Sequence, residues 1–134
     1  MRTNLLILAL LVSVNAYAGS PQELLNNYAT QARQENPGFR AFSAAQGEQF
    51  YHAERTSGGN KISCATCHTA NPKNGGKTRA NKTIEPMAPS ANPQRFSDAA
   101  KTEKWFGRNC KDVLERACTA QEKGNFITYL LSVK

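Results

Sequence analysis

Cys64-Ala65-Thr66-Cys67-His68 constrains this chain more than any other stretch of it. Two thiols two residues apart, with a histidine directly behind, form the attachment sequence of a c-type haem. The thiols add across the two haem vinyl groups, and the spacing matches the porphyrin edge. The histidine then lies over one face of the ring and can ligate iron. A chain with this motif must fold around a rigid, flat macrocycle. Two other readings of C-x-x-C fit less well. A thioredoxin-like pair wants a βαβ pattern, and none is visible. Zinc would need Cys110 and Cys118 as further ligands, and their spacing is unlike a zinc ribbon.

The N-terminus reads as an export signal. Arg2 is its charged region, residues 5–14 form an apolar run, and Ala16-Tyr17-Ala18 is a cleavage site. That run is too short to span a bilayer well. Residues 1–18 are therefore expected to be cleaved, leaving 19–134 as one monohaem domain in the periplasm, not membrane-spanning. Covalent haem attachment belongs outside the cytoplasm, where disulfides also persist. Cys110 and Cys118, the remaining cysteines, are expected to pair; two buried free thiols are the alternative. A loop this short would contribute roughly 2–3 kcal/mol when closed.

The chain carries 17 basic and 10 acidic side chains, a formal charge of +7. A basic surface suits an acidic redox partner by steering its encounter. Nucleic acid is a poor partner for an exported protein, and the lysines are scattered along the sequence. Lys73, Lys77, Lys82 and Lys104 are candidates for a partner surface. A monomer is expected.

The pattern is helical with long loops. Ser20-Pro21-Gln22-Glu23 is a capping box with proline at the first helical position. Leu24, Leu25, Tyr28, Ala29 and Ala32 follow at helical spacing, and Asn36-Pro37-Gly38 ends the helix. Ser43-Ala44-Ala45-Gln46 predicts a second capping box, opening a helix with Gly47, Phe50 and Tyr51 that ends near Ser57-Gly58-Gly59. Residues 69–93 are rich in Gly, Pro and Asn and predict a long loop along the haem edge. Ser97-Asp98 predicts a helix running to about Gly107. Thr119-Ala120-Gln121-Glu122 opens a C-terminal helix presenting Phe126, Ile127, Tyr129, Leu130 and Leu131. The helix before the haem motif and the C-terminal helix resemble the crossing pair of class I cytochromes c. Gly47 and Tyr129 are the candidates for their close approach. The expected fold is all-α: a class I-like cytochrome c domain of about four to five helices, with long loops around a covalent haem.

Three residues compete for the far face of the iron. Met87 is a soft thioether after the haem motif, the usual electron-transfer ligand. His52 precedes the motif and reads more simply as a surface histidine. Asn109 would not be chosen on chemistry alone, because amides are weak ligands.

A resemblance changes that order. Residues 84–98, from Ile84-Glu85-Pro86-Met87 to Phe96-Ser97-Asp98, look familiar. So do Lys104-Trp105-Phe106-Gly107-Arg108-Asn109-Cys110 and Cys118-Thr119-Ala120-Gln121-Glu122-Lys123. With the haem motif they resemble the SHP-type cytochromes c, small periplasmic monohaem proteins with an asparagine sixth ligand. The resemblance covers nearly the whole mature chain. It implies that Cys64 and Cys67 hold the haem, His68 is the proximal ligand and Asn109 the distal one. It also implies a Cys110–Cys118 disulfide beside that ligand. The related cytochrome c-double-prime branch has histidine where this chain has Asn109, so the chain resembles the gas-binding branch.

Ligand strength then suggests a mechanism. Ferric iron can hold the amide of Asn109, whereas softer ferrous iron holds a hard oxygen-type donor poorly. Reduction would release Asn109 and open the site to oxygen, nitric oxide or carbon monoxide. The resemblance also implies a redox partner, a dihaem cytochrome c together with a membrane cytochrome b. The competing function is a plain His/Met electron carrier using Met87. No acid–base pair dedicated to a reaction on bound gas is visible, since His52 is the only spare histidine; enzyme status stays open.

Overall fold

The computed structural model describes residues 19–134. The expected signal segment and its cleavage site lie outside the described residues. Helix α1 spans Pro21–Glu35. Both halves of its capping box form: Ser20 Oγ accepts from Glu23 N, and the Glu23 carboxylate accepts from Ser20 N. Its buried stripe is Leu24, Tyr28 and Ala32, one residue per turn. Asn36 turns extended and ends it.

Helix α2 spans Ala44–His52. Ser43 caps it, but the reciprocal half of the expected box comes from elsewhere. Asn125, buried on the last helix, accepts from Ser43 N at 2.8 Å, and its amide donates to Gln46 Oε1 at 2.9 Å. One distant side chain thus completes a cap and locks two helices together. Replacing Asn125 by alanine should cost about 2 kcal/mol, because the Ser43 N–H loses its partner. Gln46→Ala, which leaves that N–H bonded, should cost less. Urea denaturation of both holoprotein variants checks the order.

The second helix stops earlier than the sequence suggests. Gly58-Gly59 is the turn of a hairpin, not a helix end. Strands β1 (Arg55–Ser57) and β2 (Asn60–Ile62) pair antiparallel, with Ser57 opposite Asn60. Both glycines have positive φ, +55° and +78°, as a two-residue hairpin turn requires. Helix α3, Cys64–His68, follows at once. Most of the loop from 69 to 93 is irregular, with one short ribbon, β3 (Gly76–Lys77) against β4 (Thr83–Ile84).

Helix α4 spans Ala99–Leu114, seven residues past the expected end at Gly107. Its buried stripe, Thr102, Phe106, Cys110 and Val113, continues at helical spacing through the glycine, so packing overrides the propensity cost. Glu115 ends the helix in the left-handed conformation. Its carboxylate accepts from Gly58 N, tying α4 to the β1–β2 turn. Helix α5, Ala120–Ser132, has a complete Thr119–Glu122 capping box. Glu35 reaches over from the end of α1 to accept from Ala120 N.

The core lies where α2 crosses α5, and α1 packs against α5 as well. A Cβ on Gly47 would overlap the Asn125 carbonyl oxygen and approach Tyr129 Cβ to 2.7 Å. The predicted glycine–tyrosine crossing is therefore present, with backbone as the closest neighbour. Tyr28, Tyr51, Ile127 and Leu130 are the largest fully buried side chains. No helix among the described residues is long and apolar enough to cross a membrane.

A polar latch joins three helices. Tyr28 of α1 donates to the carboxylate of Glu103 on α4, and Lys123 of α5 donates to the same carboxylate at 2.8 Å. Burial alone would raise the Glu103 pKa; the bonds from Lys123 and Tyr28 outweigh it and hold the carboxyl below its usual 4.5. A depressed folded pKa gives stability that is present above the unfolded value and lost as pH falls through the folded one. The thermal midpoint should therefore drop below about pH 4.5. Glu103→Gln should show a smaller acid drop, readable by circular dichroism melts across pH.

Candidate functional site

Helix α3 brings Cys64, Cys67 and His68 onto little more than one turn. Ser63 starts it, with its backbone N–H donating to Thr66 Oγ1 at 2.9 Å. Thr69 leaves it with φ +66°, a conformation that turns the chain sharply after the histidine. Tyr51 fixes this exit. It is fully buried on α2, and its hydroxyl donates to the Thr69 carbonyl at 2.7 Å and the His68 carbonyl at 3.1 Å. Helical spacing alone marks Tyr51 only as a core residue. Gly76 closes the other side: a Cβ there would overlap the Cys67 carbonyl oxygen and lie 3.0 Å from His68 Cα. Only a glycine lets the β3–β4 ribbon lie this close to the motif.

The donor set suits a c-type haem. Cys64 and Cys67 are free and partly buried, not joined to each other. Burial pushes the Cys64 thiol up to about 11, against the opposing charge of Arg55. Burial, aided by the charge of Arg95, lowers the His68 pKa to about 4. At neutral pH the imidazole is therefore uncharged, the form that ligates metal. His68 Nδ1 is buried and has no hydrogen-bond partner among the described residues. Zinc does not fit: among the described residues no three His, Cys, Asp or Glu side chains converge as a metal-ion site.

Met87 is tied through its backbone to the loop that follows His68. Its backbone N–H and that of Ala88 both donate to the Pro72 carbonyl, four residues past His68. Arg95, half buried, donates from Nε to the Pro86 carbonyl at 2.7 Å and from Nη2 to the Glu85 carbonyl at 2.6 Å. Asn92 adds a third bond, to the same Pro86 carbonyl. The strap 85–88 is thus clamped in place, with Met87 buried in it.

Asn109 occupies different ground. It sits on the exposed surface of α4, and its side chain makes no hydrogen bond among the described residues. One turn earlier on the same flank lies Trp105, the one large hydrophobic residue exposed among those described, at 43%. Arg108 lies over the Trp105 ring at 5.2 Å. The next residue, Cys110, is joined by a disulfide to Cys118, with Cα atoms 5.6 Å apart. His52, at the end of α2, is exposed and packs edge-on against Tyr51 and Tyr129.

Comparison with known proteins now places the chain. A family profile described as "Domain of unknown function (DUF1924)" matches residues 37–130. The cytochrome c-type protein SHP of Cereibacter sphaeroides is 40% identical over 96% of this chain and 97% of its own length. Cytochrome c'' of Methylophilus methylotrophus is 37% identical over 98% of this chain and 94% of its own. Their solved structures agree. Oxidised cytochrome c'' superposes with a TM-score of 0.77, covering 85% of this chain and 94% of that one at 39% identity. Oxidised SHP, described as an oxygen-binding cytochrome c, superposes at 0.76, covering 84% and 96% at 38% identity. A solution structure of cytochrome c'' that addresses haem-ligand detachment superposes at 0.75, covering 84% and 92% at 38% identity. Shared sequence and shared fold, each over nearly the full length of both relatives, lead to one conclusion: this chain belongs to the SHP and cytochrome c'' family of c-type cytochromes.

Proposed function

We propose that this protein is an exported monohaem cytochrome whose distal ligand, Asn109, is held by ferric iron and released on reduction, opening the site to a diatomic gas. Cys64 and Cys67 would hold the macrocycle as thioethers, and neutral His68 would supply a nitrogen ligand to its iron. A haem held there supplies a one-electron iron couple and a coordination position for oxygen, nitric oxide or carbon monoxide. Tyr51 fixes the backbone of His68, so the proximal side stays put when the distal side changes. The Cys110–Cys118 disulfide and the latch at Glu103 pin α4 on both sides of Asn109. Release then needs only a swing of the Asn109 side chain, which a weak amide donor permits at small cost. The Asn109 amide, once free, would be a hydrogen-bond donor available to a bound gas.

The observation that carries this reading is the placement of Met87. Its strap is bonded to Pro72 and clamped by Arg95, which argues against Met87 swinging freely toward iron. Asn109 is left as the donor next to the exposed Trp105 ring. The oxygen binding of SHP and the ligand detachment of cytochrome c'' support the same reading. Electron exchange with a partner cytochrome completes the cycle, since something must reduce the iron. The test is Met87→Leu. The reading expects an unchanged ferric spectrum and unchanged carbon monoxide binding. Loss of the low-spin ferric spectrum in Met87→Leu would return the ligand role to methionine and the protein to simple electron transfer.

A further inference from the structure

Asn74-Gly75 is the one asparagine–glycine pair in the chain. It lies in the loop behind the haem motif, directly ahead of the β3–β4 ribbon. Asparagine is among the thermolabile side chains. The backbone nitrogen of the next residue can attack the side-chain carbonyl carbon, and such an intramolecular attack has a high effective concentration. A fold prevents it by occupying that nitrogen or by holding the asparagine side chain.

The other asparagines of the described residues are protected in this way. Proline follows Asn36, Asn71 and Asn92 and has no N–H. After Asn26, Asn27, Asn109 and Asn125 the next N–H belongs to a helical ladder. Behind Asn81, the Lys82 N–H donates to Thr78 Oγ1 at 3.1 Å. Asn60 is held by its own amide, which donates to the Gly58 carbonyl at 3.2 Å.

Asn74 has neither protection. It is exposed, and its side chain makes no hydrogen bond among the described residues. The Gly75 N–H makes none among them either. Without a Cβ, Gly75 neither shields its nitrogen nor restricts the torsions that the attack needs.

We propose that Asn74 is a spontaneous modification site, which converts through a cyclic imide to aspartate and isoaspartate and so unseats the β3–β4 ribbon from the haem motif. In the first step the Gly75 nitrogen bonds to Asn74 Cγ. The side-chain nitrogen leaves as ammonia, taking the Gly75 proton. Water then opens the ring. Opening at the side-chain carbonyl gives aspartate; opening at the main-chain carbonyl gives isoaspartate, whose main chain is one carbon longer. No oxidant or cofactor takes part. Gly76 lies so close to the Cys67 carbonyl and His68 Cα that a methyl group does not fit. It also pairs with Ile84 across the ribbon. A longer main chain two residues ahead of it must disturb that seat or that pairing.

The test ages the holoprotein at alkaline pH in isotopically labelled water. Peptide mass spectrometry reads the carboxylate formed at each asparagine, and backbone fragmentation separates aspartate from isoaspartate. Asn74 should convert at least tenfold faster than any other asparagine, and faster still as pH rises. Gly75→Ala should slow it at least tenfold, and Asn74→Gln should leave position 74 unmodified over the same period. Aged wild type should unfold at lower urea than fresh protein, whereas aged Asn74→Gln should keep its midpoint. Fresh Asn74→Asp carries the charge without the longer main chain and should stay close to fresh wild type. Conversion at Asn74 no faster than at Asn81 would overturn the site. An unchanged midpoint in converted wild type, or an equal drop in fresh Asn74→Asp, would overturn the unseating of the ribbon.

Discussion

Gly47→Leu is expected to yield no folded holoprotein, and Gly47→Ala to lose about 3 kcal/mol or more of stability. The reason lies in what a side chain at 47 would meet. Its first neighbours are the Asn125 backbone carbonyl and Tyr129 Cβ, which cannot rotate away as a flexible side-chain tip can. Admitting even a methyl group means separating α2 from α5. That separation would break the Asn125 bonds to Ser43 and Gln46 and loosen Tyr51, which holds the backbone of His68. Gly107 is the contrast. A Cβ there meets nothing within 4 Å. Gly107→Ala in the interior of α4 should therefore stabilise the protein, by up to about 1 kcal/mol from helix propensity. Urea titrations followed by circular dichroism would show opposite signs at the two glycines. Equal, mild effects would mean that the α2–α5 crossing is not what the structure describes.

The second large effect is expected at Asn109. Asn109→Leu removes the amide and leaves a side chain of similar length with no donor atom. The ferric protein should lose its low-spin spectrum and become high-spin, while the ferrous spectrum should stay as in wild type, because the amide has already left. Bound oxygen should dissociate faster as well. One hydrogen bond of roughly 1–1.5 kcal/mol is about a tenfold change in rate. Visible spectra in both oxidation states, with oxygen release by flash photolysis, check the two parts. A ferric spectrum untouched by the substitution would place the ligand elsewhere.

Much of this fold is legible in the sequence because the signals are local. The capping boxes at Ser20 and Thr119 act within one turn, and the stripes of α1 and α5 follow helical period. The glycine–aromatic pair Gly47 and Tyr129 is legible only through resemblance to a helix crossing. The misreadings share a physical cause. Gly58-Gly59 and Gly107 both look like helix ends in the sequence, since glycine alone does not distinguish a turn from a tolerated interior position. The hairpin is settled by the pairing of Arg55 with Ile62, and α4 continues because Phe106, Cys110 and Val113 all find the core. The cap of α2 depends on Asn125, 82 residues from Ser43, which no local pattern reveals.

The site divides in the same way. Cys64, Cys67 and His68 declare themselves by spacing. The supports around them do not: Tyr51, Gly76 and the Arg95 clamp act across the fold, and their partners are backbone carbonyls that carry no sequence signal. The choice between Met87 and Asn109 is the clearest case. Chemistry alone favours the thioether; Asn109 enters through resemblance, and the bonds from Met87 and Ala88 to Pro72, across fifteen residues, carry no sequence signal.

The account stands or falls on whether the reduced iron has an open position. The direct measurement is the visible spectrum of the holoprotein reduced without air, before and after carbon monoxide. A broad high-spin ferrous spectrum that sharpens and shifts on adding the gas is the predicted result. A sharp low-spin ferrous spectrum that carbon monoxide leaves unchanged would contradict it, because a strong ligand would then remain bound in both oxidation states.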